Sequence, residues 1–157
     1  MKKITSLIIS LALFGILISA PSVDAKDGCN RVSGTGNTFA TGPTTFQGTA
    51  LLRIDGRLET VSVTTNLLGP PKVGDDGTLL AHTSHTFVFD DGSSFTTLDN
   101  AVLSPTDTSG LYNLNTRAAI IQGTGSFENA FGILSIHGTI NFISGEVIWR
   151  FKGQLCN

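Results

Sequence analysis

Gln122–Gly132, QGTGSFENAFG, separates two runs in which apolar and polar residues alternate, Leu111–Ile121 and Ile133–Phe142. In the first run Tyr112, Leu114, Thr116, Ala118 and Ile120 fall on one side; in the second Leu134, Ile136, Gly138, Ile140 and Phe142 do. A period of two held over such lengths marks a strand with one buried face. The connection itself is punctuated by Gly123, Gly125 and Gly132, which permit positive φ. It also carries two aromatic anchors, Phe127 and Phe131, placed to plug the end of a barrel.

The same pattern extends outward in both directions. Ile143-Ser144-Gly145 turns the chain into Glu146–Leu155, with Val147, Trp149 and Phe151 inside and Glu146, Arg150 and Lys152 outside. Upstream, Thr44–Ile54 alternates through Phe46, Gly48, Ala50, Leu52 and Ile54. Asp55-Gly56 then makes a two-residue hairpin turn, and Arg57–Asn66 returns with Val61 and Val63 opposite Ala50 and Gly48. Leu67–Gly77, LLGPPKVGDDG, reads as loop because its prolines and glycines cannot continue a ladder. Thr78–Phe89 and Ser93–Leu103 form a further hairpin around Asp90-Asp91-Gly92, and Ser104–Gly110 is a turn. Asn30–Thr41 has Phe39 as its sole large apolar residue and predicts at most a short strand over Asn37–Ala40.

The N-terminus has a different character. Lys2 and Lys3 precede an apolar run, Leu7–Ile18, and Val23-Asp24-Ala25 offers small residues where a signal peptidase cuts. That pattern predicts a cleavable secretory leader over residues 1–25 and a single domain over 26–157. The run is shorter than the roughly 20 apolar residues of a membrane-spanning helix. The protein is therefore expected to be secreted or periplasmic. In such a compartment the pair Cys29 and Cys156 reads as a disulfide. Bridged Cα atoms lie about 4.4–6.8 Å apart, so the first and last strands must be neighbours. Two cysteines without nearby histidine do not make a four-ligand zinc site, and no metal is expected.

About eight strands with local links and tied ends, and no helical period, predict an all-β fold, a closed antiparallel barrel, over the alternative sandwich. An outer-membrane barrel would carry aromatic girdles. With one Trp, one Tyr and charges along the polar face, the mature chain is not expected to insert in a membrane. Net charge is −2 and no run of basic residues occurs, so nucleic acid is not an expected partner. Charged residues are only 14% of the chain, against a typical ~25%, leaving Ser, Thr, Asn and Gly to cover the sheet surface.

Over Asn113–Cys156 the chain resembles a known family. GTGSFENAFG, Gly123–Gly132, followed by a strand and then GEVIWRFKG, is similar to the glycine-rich turn of the allene oxide cyclase and dirigent-type barrels, including bacterial secreted members of unassigned role. The resemblance implies an eight-stranded barrel with an apolar cavity, and enzymes that cyclise or orient small, apolar, oxygenated molecules. It transfers no catalytic residue to a numbered position here.

No nucleophile elbow, P-loop or metal-type cluster is present, and no cofactor is expected. His82 and His85, three apart in a strand, point to opposite faces. His137 falls on the polar face with Ser135 and Thr139. If Asp90-Asp91-Gly92 is a three-residue loop, Phe87 faces Phe95, His85 faces Thr97 and Thr83 faces Asp99. His85 and Asp99 are then diagonal neighbours on the inner face, a candidate acid–base pair or a structural one. A two-residue loop instead moves Asp99 outside. Glu59 faces Leu52 with Arg57 on the same side, either as an interior carboxylate or as a rim salt bridge. Phe87, Phe95, Trp149 and Phe151 are core, or the walls of a ligand cavity if one exists. Three functions follow: a barrel that binds one small apolar molecule, a cyclase or isomerase, or an interaction barrel with a filled lumen. A cavity above about 300 Å³ separates the first two from the third.

Overall fold

A computed structural model describes residues 28–157. The leader expected over residues 1–25 lies outside the described residues. The chain forms β1 (Cys29–Ala40), β2 (Thr45–Ile54), β3 (Arg57–Leu67), β4 (Lys72–Val73), β5 (Leu79–Val88), β6 (Ser94–Pro105), β7 (Leu111–Thr124), β8 (Phe131–Asn141) and β9 (Glu146–Cys156). A single 3-10 turn, Gly125–Phe127, sits between β7 and β8. Neighbours pair antiparallel in the order β3-β2-β1-β9-β8-β7-β6-β5, and β5 pairs back onto β3, which closes an eight-stranded barrel. The short β4 is an extra strand on the free length of β5, at Leu79–Leu80. Among the described residues no helix is long and apolar enough to cross a membrane.

The turns are built as their residues dictate. Asp55 and Gly56 have φ of 50° and 81°, the doubly positive pair that matches the twist of a two-residue hairpin. At Asp90-Asp91-Gly92 the Phe89 N–H donates to Ser93 O (2.9 Å), and the Gly92 N–H to Phe89 O (3.0 Å). With Gly92 at φ 81°, this is the three-residue loop. Its register is the one that faces Phe87 to Phe95, His85 to Thr97 and Thr83 to Asp99.

Hairpins alternate the strand ends, so the barrel has a base and a mouth. Aromatic rings close the base. Phe127, from the 3-10 turn, packs on Phe89 and Phe95 with ring centroids 4.5 and 5.5 Å apart, and Phe87 stacks on Phe95 at 4.6 Å. Cys29 and Cys156 are direct cross-strand partners there and form the disulfide, with Cα atoms 3.8 Å apart.

Four expectations are corrected. First, β1 extends over Cys29–Ala40, not just Asn37–Ala40. Its inward positions include Gly34 and Gly36 because aromatic rings of β9 occupy the space beside them. A Cβ at Gly34 would lie 2.6 Å from the Phe151 ring, and one at Gly36 would run into the Trp149 indole. Second, the segment read as loop contains β4. Third, Phe131 does not plug the base: it shares the outward parity of Ile133 and is 58% exposed, and Phe89 takes the role alongside Phe127. Fourth, Glu59 is exposed. The β3–β5 pairing begins only at Ser62, so Glu59 lies where β3 overhangs the wall. Among the described residues it forms no salt bridge with Arg57.

Candidate functional site

On β5 and β6 the inward side chains fall in size between the aromatic base and the leucines at the mouth, Leu79 and Leu103. Along β5 they run Phe87, His85, Thr83, Ala81, and along β6 Phe95, Thr97, Asp99, Ala101. Thr38, Thr65 and Thr116 face them from β1, β3 and β7, and all three are buried. Residues of this size do not reach one another across a barrel that phenylalanines fill lower down. The result is a cavity of about 260 Å³ in the mouth half of the lumen. Leu79, Leu103, Leu114, Ile140 and Val147 line its sides. The loops contribute a rim of Pro43, Pro71 and Phe142.

That volume is slightly below the ~300 Å³ lower end of drug-sized pockets. It exceeds the ~150 Å³ of an apolar cavity that takes up benzene. A molecule of one or two rings matches it.

One polar cluster stands on this wall. His85 Nδ1 is hydrogen-bonded to Asp99 Oδ2. Asp99 is fully buried, and the same oxygen accepts from Thr83 Oγ1 at 3.1 Å. The His85 backbone N–H donates to Thr97 Oγ1 at 3.3 Å, which fixes the strand carrying the ring. A neutral imidazole that donates through Nδ1 to a carboxylate keeps its lone pair on Nε2. With Nδ1 committed to Asp99, Nε2 is the nitrogen left for the cavity that His85 lines.

Trp149, also on the wall, lies with its ring centroid 6.1 Å from that of His85. Its Nε1–H is buried without a partner, and so is Asp99 Oδ1.

Comparison with known proteins adds little to this geometry. No protein-family profile matches the chain, and no curated protein does. Among solved structures it is similar to the pterocarpan synthase dirigent protein PsPTS1, with a TM-score of 0.47 and 14% identity over 82% of this chain and 95% of that one. It is also similar to the pterocarpan synthase dirigent protein GePTS1, with a TM-score of 0.44 and 14% identity over 81% and 88%. The barrel described above stands on its own strand pairing.

Of the residues singled out from sequence, His85 and Asp99 come together, and Trp149 joins His85 on the cavity wall. Phe87, Phe95 and Phe151 are buried in the packed half beneath and do not line the cavity. Glu59 is on the overhanging rim at the base end, away from the mouth. Sequence reasoning passed over Thr38, Thr65, Ala81 and Ala101, and placed Thr116 on the inner face without giving it a role. The signal that marks Ala81 and Ala101 is the fall in side-chain size along the inward rows of β5 and β6. Among the described residues no group of three or more His, Cys, Asp or Glu is placed to hold a metal ion.

Chemically, the cluster offers His85 Nε2, an acceptor when the ring is neutral and a donor when it is protonated, within a greasy wall. That nitrogen suits a hydroxyl or carbonyl on an otherwise apolar molecule. With its carboxylate partner, His85 also has the parts of a general base.

Proposed function

We propose that this protein is an exported small-molecule-binding barrel. It takes one compact, largely apolar molecule of one or two rings into the mouth half of its lumen, holds the molecule's single polar group on His85 and packs its rings against the Trp149 indole. The observation that carries the reading is the cavity of about 260 Å³, apolar apart from that cluster and four threonines. Export rests on the leader pattern of residues 1–25 and on the disulfide, which persists in oxidising compartments. The lower half of the lumen is packed, as in the interaction-barrel reading, but the upper half is not.

The chain's single tryptophan is Trp149, so its emission reports directly on the lumen. Titration with phenol, cyclohexanol and 1-naphthol should change that emission saturably, and Ala101→Phe, which fills the lumen, should abolish the change. A linear, unsaturable response to every probe, or saturation undiminished in Ala101→Phe, contradicts the proposal.

The His85–Asp99 hydrogen bond favours a second reading, an isomerase or cyclase in which Nε2 of His85 moves a proton on a bound oxygenated substrate. A substrate turned over by the wild type and still bound, but not converted, by His85→Gln supports catalysis. Unaltered turnover in that variant removes it.

A further inference from the structure

The outer wall of the barrel carries a second feature, independent of the lumen. Strand pairing sets Arg117 (β7), Ser135 (β8), Lys152 (β9), Ser33 (β1) and Arg53 (β2) in one continuous cross-strand row. The three cations are exposed, and none forms a salt bridge with an acid among the described residues. The row immediately toward the mouth reads Asn115, His137, Arg150 and Thr35 on β7, β8, β9 and β1. No aspartate or glutamate stands in either stretch, although the whole chain has a net charge of −2. Neighbouring strands are about 4.8 Å apart, so Arg117, Lys152 and Arg53, on alternate strands, repeat at roughly 9–10 Å with a serine hydroxyl at each midpoint.

We propose that these rows bind an extended acidic polysaccharide that carries one carboxylate on every second sugar. Such a chain presents a carboxylate, a neutral hydroxyl-bearing ring and a carboxylate again, with the advance of one disaccharide between charges. The cations meet the carboxylates, and Ser135 and Ser33 meet the intervening sugars. The adjoining groove supplies more of the same chemistry. His137 Nδ1 is hydrogen-bonded to Asn115 Oδ1 (2.7 Å), and Arg150 and Thr35 lie beside them. Ile148, 53% exposed, offers an apolar patch for a ring face.

Shape and spacing argue against other polyanions. The row follows the curved wall through five of the eight barrel strands, a path open to a flexible glycan. Duplex DNA, with a persistence length of about 50 nm, does not bend round it, and a flat bilayer meets only a narrow part of it. Phosphates on a duplex strand advance only ~3.4 Å each along the helix axis, and single-stranded nucleic acid relies on aromatic stacking. Neither row contains Phe, Tyr or Trp, and the one ring present, His137, is hydrogen-bonded to Asn115.

Anisotropy of a fluorescein-labelled hyaluronate decasaccharide tests the proposal on the disulfide-bonded protein. Binding should appear at low ionic strength and fade as salt shortens the screening length. The triple variant Arg53→Gln/Arg117→Gln/Lys152→Gln should bind roughly tenfold more weakly, from three exposed ion pairs of modest strength each. Lys72→Gln, on β4, should bind as the wild type does. The triple variant changes exposed side chains only, so an unchanged melting curve separates lost binding from lost folding. The proposal is overturned if hyaluronate does not bind, if a labelled dT20 oligonucleotide binds more tightly than hyaluronate, or if the triple variant binds as the wild type. Ala101→Phe should leave this binding intact, so failure here and failure of the lumen reading are distinguishable.

Discussion

Replacing both members of the His85–Asp99 pair should cost less than the sum of the two single replacements. In Asp99→Leu the His85 Nδ1–H and the Thr83 hydroxyl lose their shared acceptor in a site where Asp99 is fully buried. A buried donor left unpaired costs about 1–3 kcal/mol, and Thr83 is only half-buried, so the single variant should lose about 1–4 kcal/mol. His85→Leu leaves a buried carboxylate held by Thr83 alone, a loss of at least about 2 kcal/mol. In the double variant only the Thr83 hydroxyl is orphaned, and two apolar side chains enter an apolar wall. Its loss should fall below the sum of the singles by about 2 kcal/mol or more, the mark of residues in one network. Urea unfolding monitored by Trp149 emission, with fits sharing a common slope, measures all four proteins. If the double variant is also stable yet no longer binds lumen probes, the pair is kept for its chemistry at some expense to stability. Additive losses, or single-variant effects under about 0.5 kcal/mol, would mean that the two groups are not a buried, hydrogen-bonded unit.

Other perturbations address separate parts of the barrel. Reducing the Cys29–Cys156 bridge, or replacing both residues by Ser, opens a loop with a sequence separation of 127. The loss of about 4–5 kcal/mol expected from chain entropy should lower the melting temperature, and an unchanged curve would refute the bridge. Gly36→Ala drives a Cβ into the Trp149 indole; overpacking of this kind should cost about 1–3 kcal/mol and shift the Trp149 emission. A variant as stable as the wild type, with the same spectrum, would show that the indole does not abut β1. Asp91 accepts from the Ser93 backbone N–H (2.8 Å) and hydroxyl (3.0 Å), and these bonds hold its carboxyl below the usual carboxylate value. A depressed native pKa contributes stability that is complete above the unfolded value of about 4 and is lost as pH falls through the native one. Asp91→Asn, which keeps an acceptor oxygen but does not titrate, should therefore be less stable than the wild type at pH 6, with the gap closing toward pH 2–3. A gap that does not vary with pH contradicts the assignment.

The strands from β5 to β9 were legible because their inward positions alternate with polar ones. The sequence left the Asp90-Asp91-Gly92 loop at two or three residues, and the backbone hydrogen bonds of Phe89 select the three-residue form that pairs Thr83 with Asp99. Local reading failed where the deciding neighbour is remote in sequence. Gly34 and Gly36 look like breakers until Phe151 and Trp149 arrive from the last strand to occupy the space a side chain would take. Phe127 and Phe131 look equivalent in QGTGSFENAFG, yet the 3-10 turn sends one inward while the parity of β8 sends the other out. Glu59 has the parity of an inward residue, and only the short β3–β5 pairing shows that no wall stands over it. The basic rows escape any search for runs of Lys and Arg, because Arg53, Arg117 and Lys152 become neighbours only through the ladder. The cavity lies between these cases. Each Ala and Thr on the inward rows is unremarkable alone, and the void arises from their meeting at one level of the barrel.

The account turns on a lumen packed at its base and open to a small molecule at its mouth. Native mass spectrometry of the disulfide-bonded protein, purified from its own host beside Ala101→Phe, tests this most directly. The wild type should carry a co-purifying mass of one small molecule per chain that the filled variant lacks. Bare protein in both samples, together with Trp149 emission that no probe shifts saturably, would contradict it.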